Sequence, residues 1–401
     1  MTTMKPVKIG VLGLGMAGGG IIRSLARSPE VSIAAAVSSR PAARAAFSDQ
    51  FHGRGYESLD ELCRDPEIEA VWVATPSEYH CEHAIALANH GKHIVMEKPF
   101  AMSLAECEKM IEAAERNKVV LIGGGSHSFN PAYISMREIV TSGRLGGLGA
   151  LADWSFSDWM LRAREPHEVE NDRDGGALLN QGPHPVDALR LLGGGMLRSV
   201  RATTRDFGLR GRPCAGYFCA YMEFEDGTPA TLVYDGYGYI HGWEGVAWGE
   251  TDARVDGSKE QYAYRRRLRN GTADELPARE QYRFGAPAEA PSRAGADGSW
   301  VPSGPGNIVV TCERGEIRQA AAGLYVYDDD GRHEEPFSAG GNVRFNEATE
   351  LRRGMASEPI FRDGRWGMAT TEVVLAIAES AAQRREIYLE HQVPVVDALL
   401  G

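Results

Sequence analysis

Between Asp174 and Asp187 the chain reads D-G-G-A-L-L-N-Q-G-P-H-P-V-D, which sets Asn180 and His184 four residues apart. At the helical period the two side chains share one face. Asp187 follows the histidine at i+3, where it either orients the imidazole or serves as a plain cap or surface acid. Histidine exchanges its proton near neutral pH, and a lysine drawn out of water can be tuned to do the same. Lys98, in Met96-Glu97-Lys98-Pro99, closes a short apolar run and is placed to be such a lysine. A second chemistry is written near the start, in Gly13-Leu14-Gly15-Met16-Ala17-Gly18. Gly13 permits a tight turn, Gly15 lets the backbone approach a pyrophosphate, Met16 and Ala17 open a helix whose N–H groups face the phosphates, and Gly18 allows close packing on a strand.

These groups need elements to hold them. Val7 to Leu12 reads as a buried strand and Met16 to Ser28 as a helix, so the glycines lie in the strand–turn–helix context of a dinucleotide site. The next strand, Val31 to Val37, ends at Ser38-Ser39-Arg40. An NAD-selective site carries an acid about there; a hydroxyl and a guanidinium instead suit the 2'-phosphate of NADP, so NADP is favoured over NAD. Capping boxes begin helices at Ser58 and Ser103, and further strands run Ala70 to Ala74, His93 to Glu97 and Val119 to Gly123. Such alternation predicts an N-terminal doubly wound parallel sheet over residues 1–125, with Thr75, Pro76, His80, Glu97 and Lys98 at the working end of the cofactor. His127 lies just past the last strand and is a weaker substrate-site candidate.

A length of 401 residues suits two domains. With 43% hydrophobic and 24% charged residues the composition is that of a globular protein, and a net charge of -12 argues against nucleic acid or an anionic bilayer as partner. The six cysteines show no C-x-x-C pair, no stretch is long and apolar enough to span a bilayer, and the reading is a reduced, cytoplasmic protein without a metal site. His80 with Cys81 and His83 lacks a third well-spaced ligand. After residue 126 the pattern turns to strands joined by turns such as Asp226-Gly227 and Asp330-Gly331, which predicts a broad, mostly antiparallel sheet over 126–401. Its open face suggests a homo-oligomer, dimer or tetramer. Residues 250–306, with R-R-R-L-R and little periodicity, read as an irregular insertion. Ala369 to Arg385 reads as a helix, followed by Ile387 to Leu389, that returns to the first domain.

Taken together, G-L-G-M-A-G, A-T-P-S-E-Y-H, G-K-H-I-V-M-E-K-P and G-G-A-L-L-N-Q-G-P-H-P-V-D resemble, in order and spacing, the Gfo/Idh/MocA oxidoreductase family. The resemblance implies an N-terminal Rossmann domain followed by an α/β domain with a large, mostly antiparallel sheet. It also implies an NAD(P)-dependent dehydrogenase in which Lys98 and His184 face the reacting C–OH group. Where the family commonly has Asp, this chain has Asn180, which orients a hydroxyl but is no base. W-S-F-S-D-W-M-L-R-A-R-E-P is similar to the branch acting on carboxylated cyclohexadiene diols, of the phthalate 4,5-cis-dihydrodiol type. That branch oxidises a cis-dihydrodiol to a catechol in the degradation of aromatic compounds. A carboxylated substrate calls for cations, and Arg162, Arg164 and Arg173 beside Trp159 are the candidates. A sugar or inositol substrate, or a catalytically silent cofactor-binding sensor, are the rival readings.

Overall fold

The computed structural model describes residues 5–125, 127–169, 176–240, 242, 264, 266–268, 270–280, 284, 306–320, 323–338 and 343–400. It resolves into two units. In the first, six parallel strands form one sheet: β1 (Val7–Leu12), β2 (Val31–Val37), β3 (Arg54–Tyr56), β4 (Ala70–Val73), β5 (His93–Met96) and β6 (Leu121–Ile122), in the order β3-β2-β1-β4-β5-β6. Helices α1 (Met16–Leu25), α2 (Pro41–Phe51), α3 (Leu59–Arg64), α4 (His80–Asn89) and α5 (Leu104–Asn117) connect them. The capping box at Ser58 is formed with Glu61, and the Ser103 hydroxyl accepts the Glu106 N–H.

The strands are apolar on both sides because both faces are covered. Along β4, Val71 and Val73 enter one core with α3, α4 and α5. Ala70 and Trp72 enter the other with α1, α2 and the helix Val343–Met355, through Ala348 and Leu351. That last helix corrects the expected boundary. The first unit runs Met1–Phe129 and also takes in Arg279–Ala290 and Gly341–Thr371, rather than stopping at residue 125 with all else in one second domain. The physical reason is the second face of the sheet, where Ile9, Trp72 and Ile122 need a third covering helix that the first 125 residues do not contain.

Arg362 fastens the returning segment. Its Nη1 lies 2.5 Å from Glu350 Oε2, Nη2 and Nε donate to Ser128 O at 2.7 and 3.1 Å, and its guanidinium stacks on Phe129 and Phe361 at 4.4 and 4.3 Å.

The second unit is a nine-stranded sheet: β7 (Leu148–Phe156), β8 (Leu197–Arg205), β9 (Tyr217–Phe224), β10 (Pro229–Asp235), β11 (Gly306–Cys312), β12 (Gly315–Gln319), β13 (Gly323–Asp328), β14 (Gly331–Pro336) and β15 (Ile387–Tyr388). Its order is β14-β13-β12-β11-β7-β10-β9-β8-β15, and every pair is antiparallel except β7 with β10. The two-residue period holds: Phe218, Ala220, Met222 and Phe224 are buried, as are Ala230, Leu232 and Tyr234. Gly227 and Gly331 take φ of +87° and +111° in the expected turns.

Helix α6 (Pro131–Thr141), the short α7 (Pro166–Val169), α8 (Gly176–Gln181) and α9 (Pro183–Leu192) also belong to this unit, with α6 against β12 and β13 and α9 against β7. The expected C-terminal helix forms over Gly364–Gln383 and lies in the first unit as far as Thr371, while β15 beyond it pairs with β8 in this sheet. Most of the 250–306 insertion lies outside the described residues; within it the helix Glu275–Glu280 is defined. Among the described residues no helix is long and apolar enough to cross a membrane.

Under this sheet Asp153 is fully buried, with the Ser155 hydroxyl donating to it at 3.0 Å. Burial pushes its carboxyl up to about 7 despite that bond, and burial together with Asp153 raises the phenol of Tyr133. Because the folded state holds this proton above the unfolded value, its contribution to stability is present below about pH 4 and is lost as pH rises through about 7. Each tenfold difference in proton affinity between the folded and unfolded chain is worth about 1.4 kcal/mol. Asp153→Asn is therefore expected to unfold less readily than the parent at pH 8, by on the order of a few kcal/mol, and to show a flatter pH dependence in urea titrations; equal slopes from pH 4 to 7 would contradict the assignment. Arg362→Met strands Glu350 without its counter-charge and is expected to cost about 3–5 kcal/mol in the same assay.

Candidate active site

In the first unit the site grows from the carboxyl ends of β1, β4 and β5, beside the point where strand order reverses. Gly13 has φ +102°, and a Cβ there would meet Ala74 O at 2.7 Å. A Cβ on Gly18 would collide with the Gly13 carbonyl, so helix and strand touch only because it is absent. Gly15, the N-cap of α1, has nothing within 4 Å of where its Cβ would stand. That open space lies at the N–H groups of Met16 and Ala17, with no acid in the first turn of the helix. These residues fit a pyrophosphate.

At the end of β2 the Ser38 hydroxyl accepts the Arg40 N–H at 3.2 Å, Arg40 Nη2 donates to Leu14 O at 2.5 Å, and Arg44 Nη1 donates to Ser38 O at 2.6 Å. Ser39 is exposed. Two guanidinium groups and two hydroxyls thus stand where an NAD-selective site would carry a carboxylate.

His80, expected among the cofactor contacts, joins two loops at that end of the sheet. Its Nδ1 is 2.8 Å from Pro99 O and its Nε2 3.0 Å from Thr75 O, with the ring 1% exposed. Both partners are carbonyls and can only accept, so His80 ties the loop after β4 to the loop after β5. The Thr75 hydroxyl meets His83 Nδ1 at 2.9 Å, and Pro76 begins the turn that leads into α4.

One residue before Lys98, Glu97 is buried and ion-paired with Arg344, whose Nη2 lies 2.5 Å from Glu97 Oε1. The other arm of Arg344 reaches Glu347 Oε2 at 2.8 Å. Burial opposes the ionised form of Glu97, yet the charges of Arg344 and then Lys98 hold its carboxyl below the ordinary range. His127, expected as readily in solvent as in a site, is 5% exposed. Burial, then the charges of Lys98 and Arg344, push its imidazole down to about 4, which keeps it neutral at physiological pH.

The second unit carries the other candidates. Asn180 and His184 were expected on one helix; the chain instead forms α8 and α9 with Gly182 between them. Pro183 and Pro185 lack the N–H groups that would bond Leu179 O and Gln181 O, so the ladder breaks there. Gly182, at φ -57° and ψ -37°, nevertheless keeps a helical course. Both side chains are half-buried, and Gln181 Nε2 donates to Asn180 Oδ1 at 2.7 Å. Asp187 is fully buried, which removes the surface reading. Burial pushes the Arg190 guanidinium down to about 9, against the opposing charges of Asp187 and Glu372.

Trp159 lies in a single turn after β7, with the Arg164 guanidinium 4.4 Å above its ring. Arg164 is committed to that loop: Nε donates to Trp159 O at 3.1 Å, Nη1 lies 3.4 Å from Glu168, and the backbone N–H donates to Glu275 at 2.7 Å. In that buried position its guanidinium stacks on Trp159 and meets Glu168. Arg162 pairs with Asp158 at 2.5 Å and keeps a part-exposed side chain. Arg173 lies outside the described residues.

Sequence reasoning missed Arg212, which is bidentate to Glu275 with both distances 2.8 Å and donates to Arg162 O and Met160 O. Sixty-odd residues separate that pair, and no local spacing announces it. Among the described residues, Trp159 Nε1 and the Tyr264 hydroxyl are buried with no hydrogen-bonding partner.

A family model described as "Oxidoreductase family, NAD-binding Rossmann fold" matches residues 7–124, and a GFO/IDH/MocA C-terminal domain matches 133–262. The 1-carboxy-3-chloro-3,4-dihydroxycyclohexa-1,5-diene dehydrogenase of Comamonas testosteroni is 27% identical over 93% of this chain and 94% of its own length. Inositol 2-dehydrogenase 2 of Saccharopolyspora erythraea is 29% identical over 58% of this chain and 68% of its own. A solved protein of Bordetella bronchiseptica RB50 superposes with a TM-score of 0.86 at 32% identity, covering 96% of this chain and all of the other.

The open space at Gly15 leaves a Cβ there no protein atom to strike. Gly15→Ala is therefore expected to leave the melting temperature within about 2 °C while weakening dinucleotide binding at least tenfold, about 1.4 kcal/mol, in a fluorescence titration with NADPH and NADH. Unchanged affinity for both would remove the glycine loop from the site.

Proposed function

The chain belongs to the Gfo/Idh/MocA oxidoreductases and carries their NAD-binding Rossmann unit, and from that premise we propose that it oxidises a carboxylated cis-dihydrodiol, of the phthalate 4,5-cis-dihydrodiol type, to the corresponding catechol. The observation that carries this reading is the breadth of the likeness to the Comamonas enzyme, which spans nearly both chains, whereas the inositol enzyme is matched over little more than half of this one. Aromatisation of this kind runs downhill, since the ketone first formed tautomerises to the catechol ring.

The dinucleotide, when bound, supplies the hydride acceptor at the nicotinamide ring. The chain's own part is to hold the diol and take its proton, and Lys98 and His184 are the groups proposed for that. Asn180 orients a hydroxyl by hydrogen bonding. Trp159 offers a flat apolar wall, and its unmatched Nε1–H with the Tyr264 hydroxyl gives buried donors suited to a carboxylate, alongside the part-exposed Arg162. NADP is the proposed preferred cofactor, on the hydroxyl and guanidinium groups around Arg40. The working form is proposed as a homo-oligomer in the cytoplasm that uses neither nucleic acid nor membrane. The outer face of the large sheet supports self-association, since Trp154 and Tyr221 project from it with about half of their surface exposed.

The second reading, an inositol or sugar dehydrogenase, rests on the inositol 2-dehydrogenases among the relatives. Purified protein is expected to reduce NADP with a carboxylated cis-dihydrodiol at a kcat/KM at least 100-fold above that with myo-inositol; the reverse ranking moves the assignment to polyols. Lys98→Met is expected to lower kcat by about 10³-fold or more while NADPH affinity stays within threefold. Undiminished turnover in that variant would remove Lys98 from the chemistry.

A further inference from the structure

Glu97 and Lys98 are consecutive, and Glu97 is buried. A buried carboxylate requires a cation, and an ammonium one residue along the chain is the nearest available by sequence. The structure meets that demand from elsewhere. Arg344, in the first turn of the helix Val343–Met355, places Nη2 2.5 Å from Glu97 Oε1 and Nη1 2.8 Å from Glu347 Oε2, and Glu347 is itself buried. Around Glu97 in this pocket of the first unit stand the Arg344 guanidinium, the Lys98 ammonium and His80, all favouring its ionised form, with Glu347 on Arg344 and the neutral His127 beside them.

We propose that Arg344 is a positioning residue for Lys98, acting through Glu97: its guanidinium occupies the buried carboxylate so that the neighbouring ammonium is not drawn into an ion pair with it. The same contact explains why the sheet takes a covering helix from more than 200 residues downstream. That helix closes the apolar face and also delivers the counter-charge to the strand end. Without Arg344, two buried carboxylates would share one lysine, and Lys98 would be held against Glu97 as a fixed, protonated ammonium. Such a lysine neither accepts a proton nor reaches for a hydroxyl.

This inference rests on the reading of Lys98 as a catalytic group, and the test separates the two. Four variants are compared by steady-state kinetics with the best dihydrodiol substrate, by NADPH titration and by thermal melting: Arg344→Met, Arg344→Lys, the double variant Glu97→Gln/Arg344→Met, and Lys98→Met as reference. Expected are a fall in kcat of about 100-fold for Arg344→Met with NADPH affinity within threefold, retention of a tenth or more of the parent kcat in Arg344→Lys, and recovery of at least tenfold in the double variant relative to Arg344→Met. Recovery is the decisive outcome, because deleting the acid removes the pull on Lys98, whereas damage to packing would not be mended by it. If the double variant is no better than Arg344→Met, or if Arg344→Met retains full kcat while Lys98→Met is inactive, the positioning role is overturned and the reading of Lys98 stands. If Lys98→Met itself turns over normally, both fail.

Discussion

The first unit depends on one constraint: a parallel sheet covered on both faces can show polar chemistry only where its strands end. Trp72, Val71 and Ile9 are sealed in apolar layers, and the candidate site residues emerge just beyond them, Gly13 after β1, Thr75 after β4, Glu97 and Lys98 after β5. His80 then binds the β4 and β5 exits to one another through two carbonyls. The site is therefore stiffened from beneath by the sheet and from the side by a histidine that joins two of its loops.

Much of this was legible in the sequence. Strand, glycine turn and helix are local patterns, and their periodicities survive folding because the buried positions repeat every second residue in strands and about every fourth in helices. Lys98 at a strand end followed from the same reasoning, as did the turn glycines Gly227 and Gly331. What spacing does not reveal is the partner each residue meets: Glu168 and a backbone carbonyl for Arg164, two carbonyls for His80, and two prolines without donors beside Gly182. The proline signal was present in P-H-P and could have been used.

Long-range pairing was the part that could not be read. Arg344 with Glu97, Arg362 with Ser128, and Arg212 with Glu275 each join segments far apart in the chain. In each case a guanidinium, buried in Arg362 and Arg212 and partly buried in Arg344, bridges an acid or a carbonyl across elements that no local period connects. Arginine suits this work because it presents several donors in a fixed plane and stays charged when buried. The sequence contains the residues, but only the fold decides which acid each arginine meets.

The return of residues 341–371 to the first unit also has a bearing on how the chain comes into being. A ribosome releases the glycine loop and all six parallel strands while the covering helix is still more than 200 residues from synthesis. At typical elongation rates that interval is on the order of ten seconds or more. Throughout it, the sheet face around Trp72 and Ile122 lacks its third helix, so apolar surface stays uncovered on the nascent chain until residues 341–371 arrive.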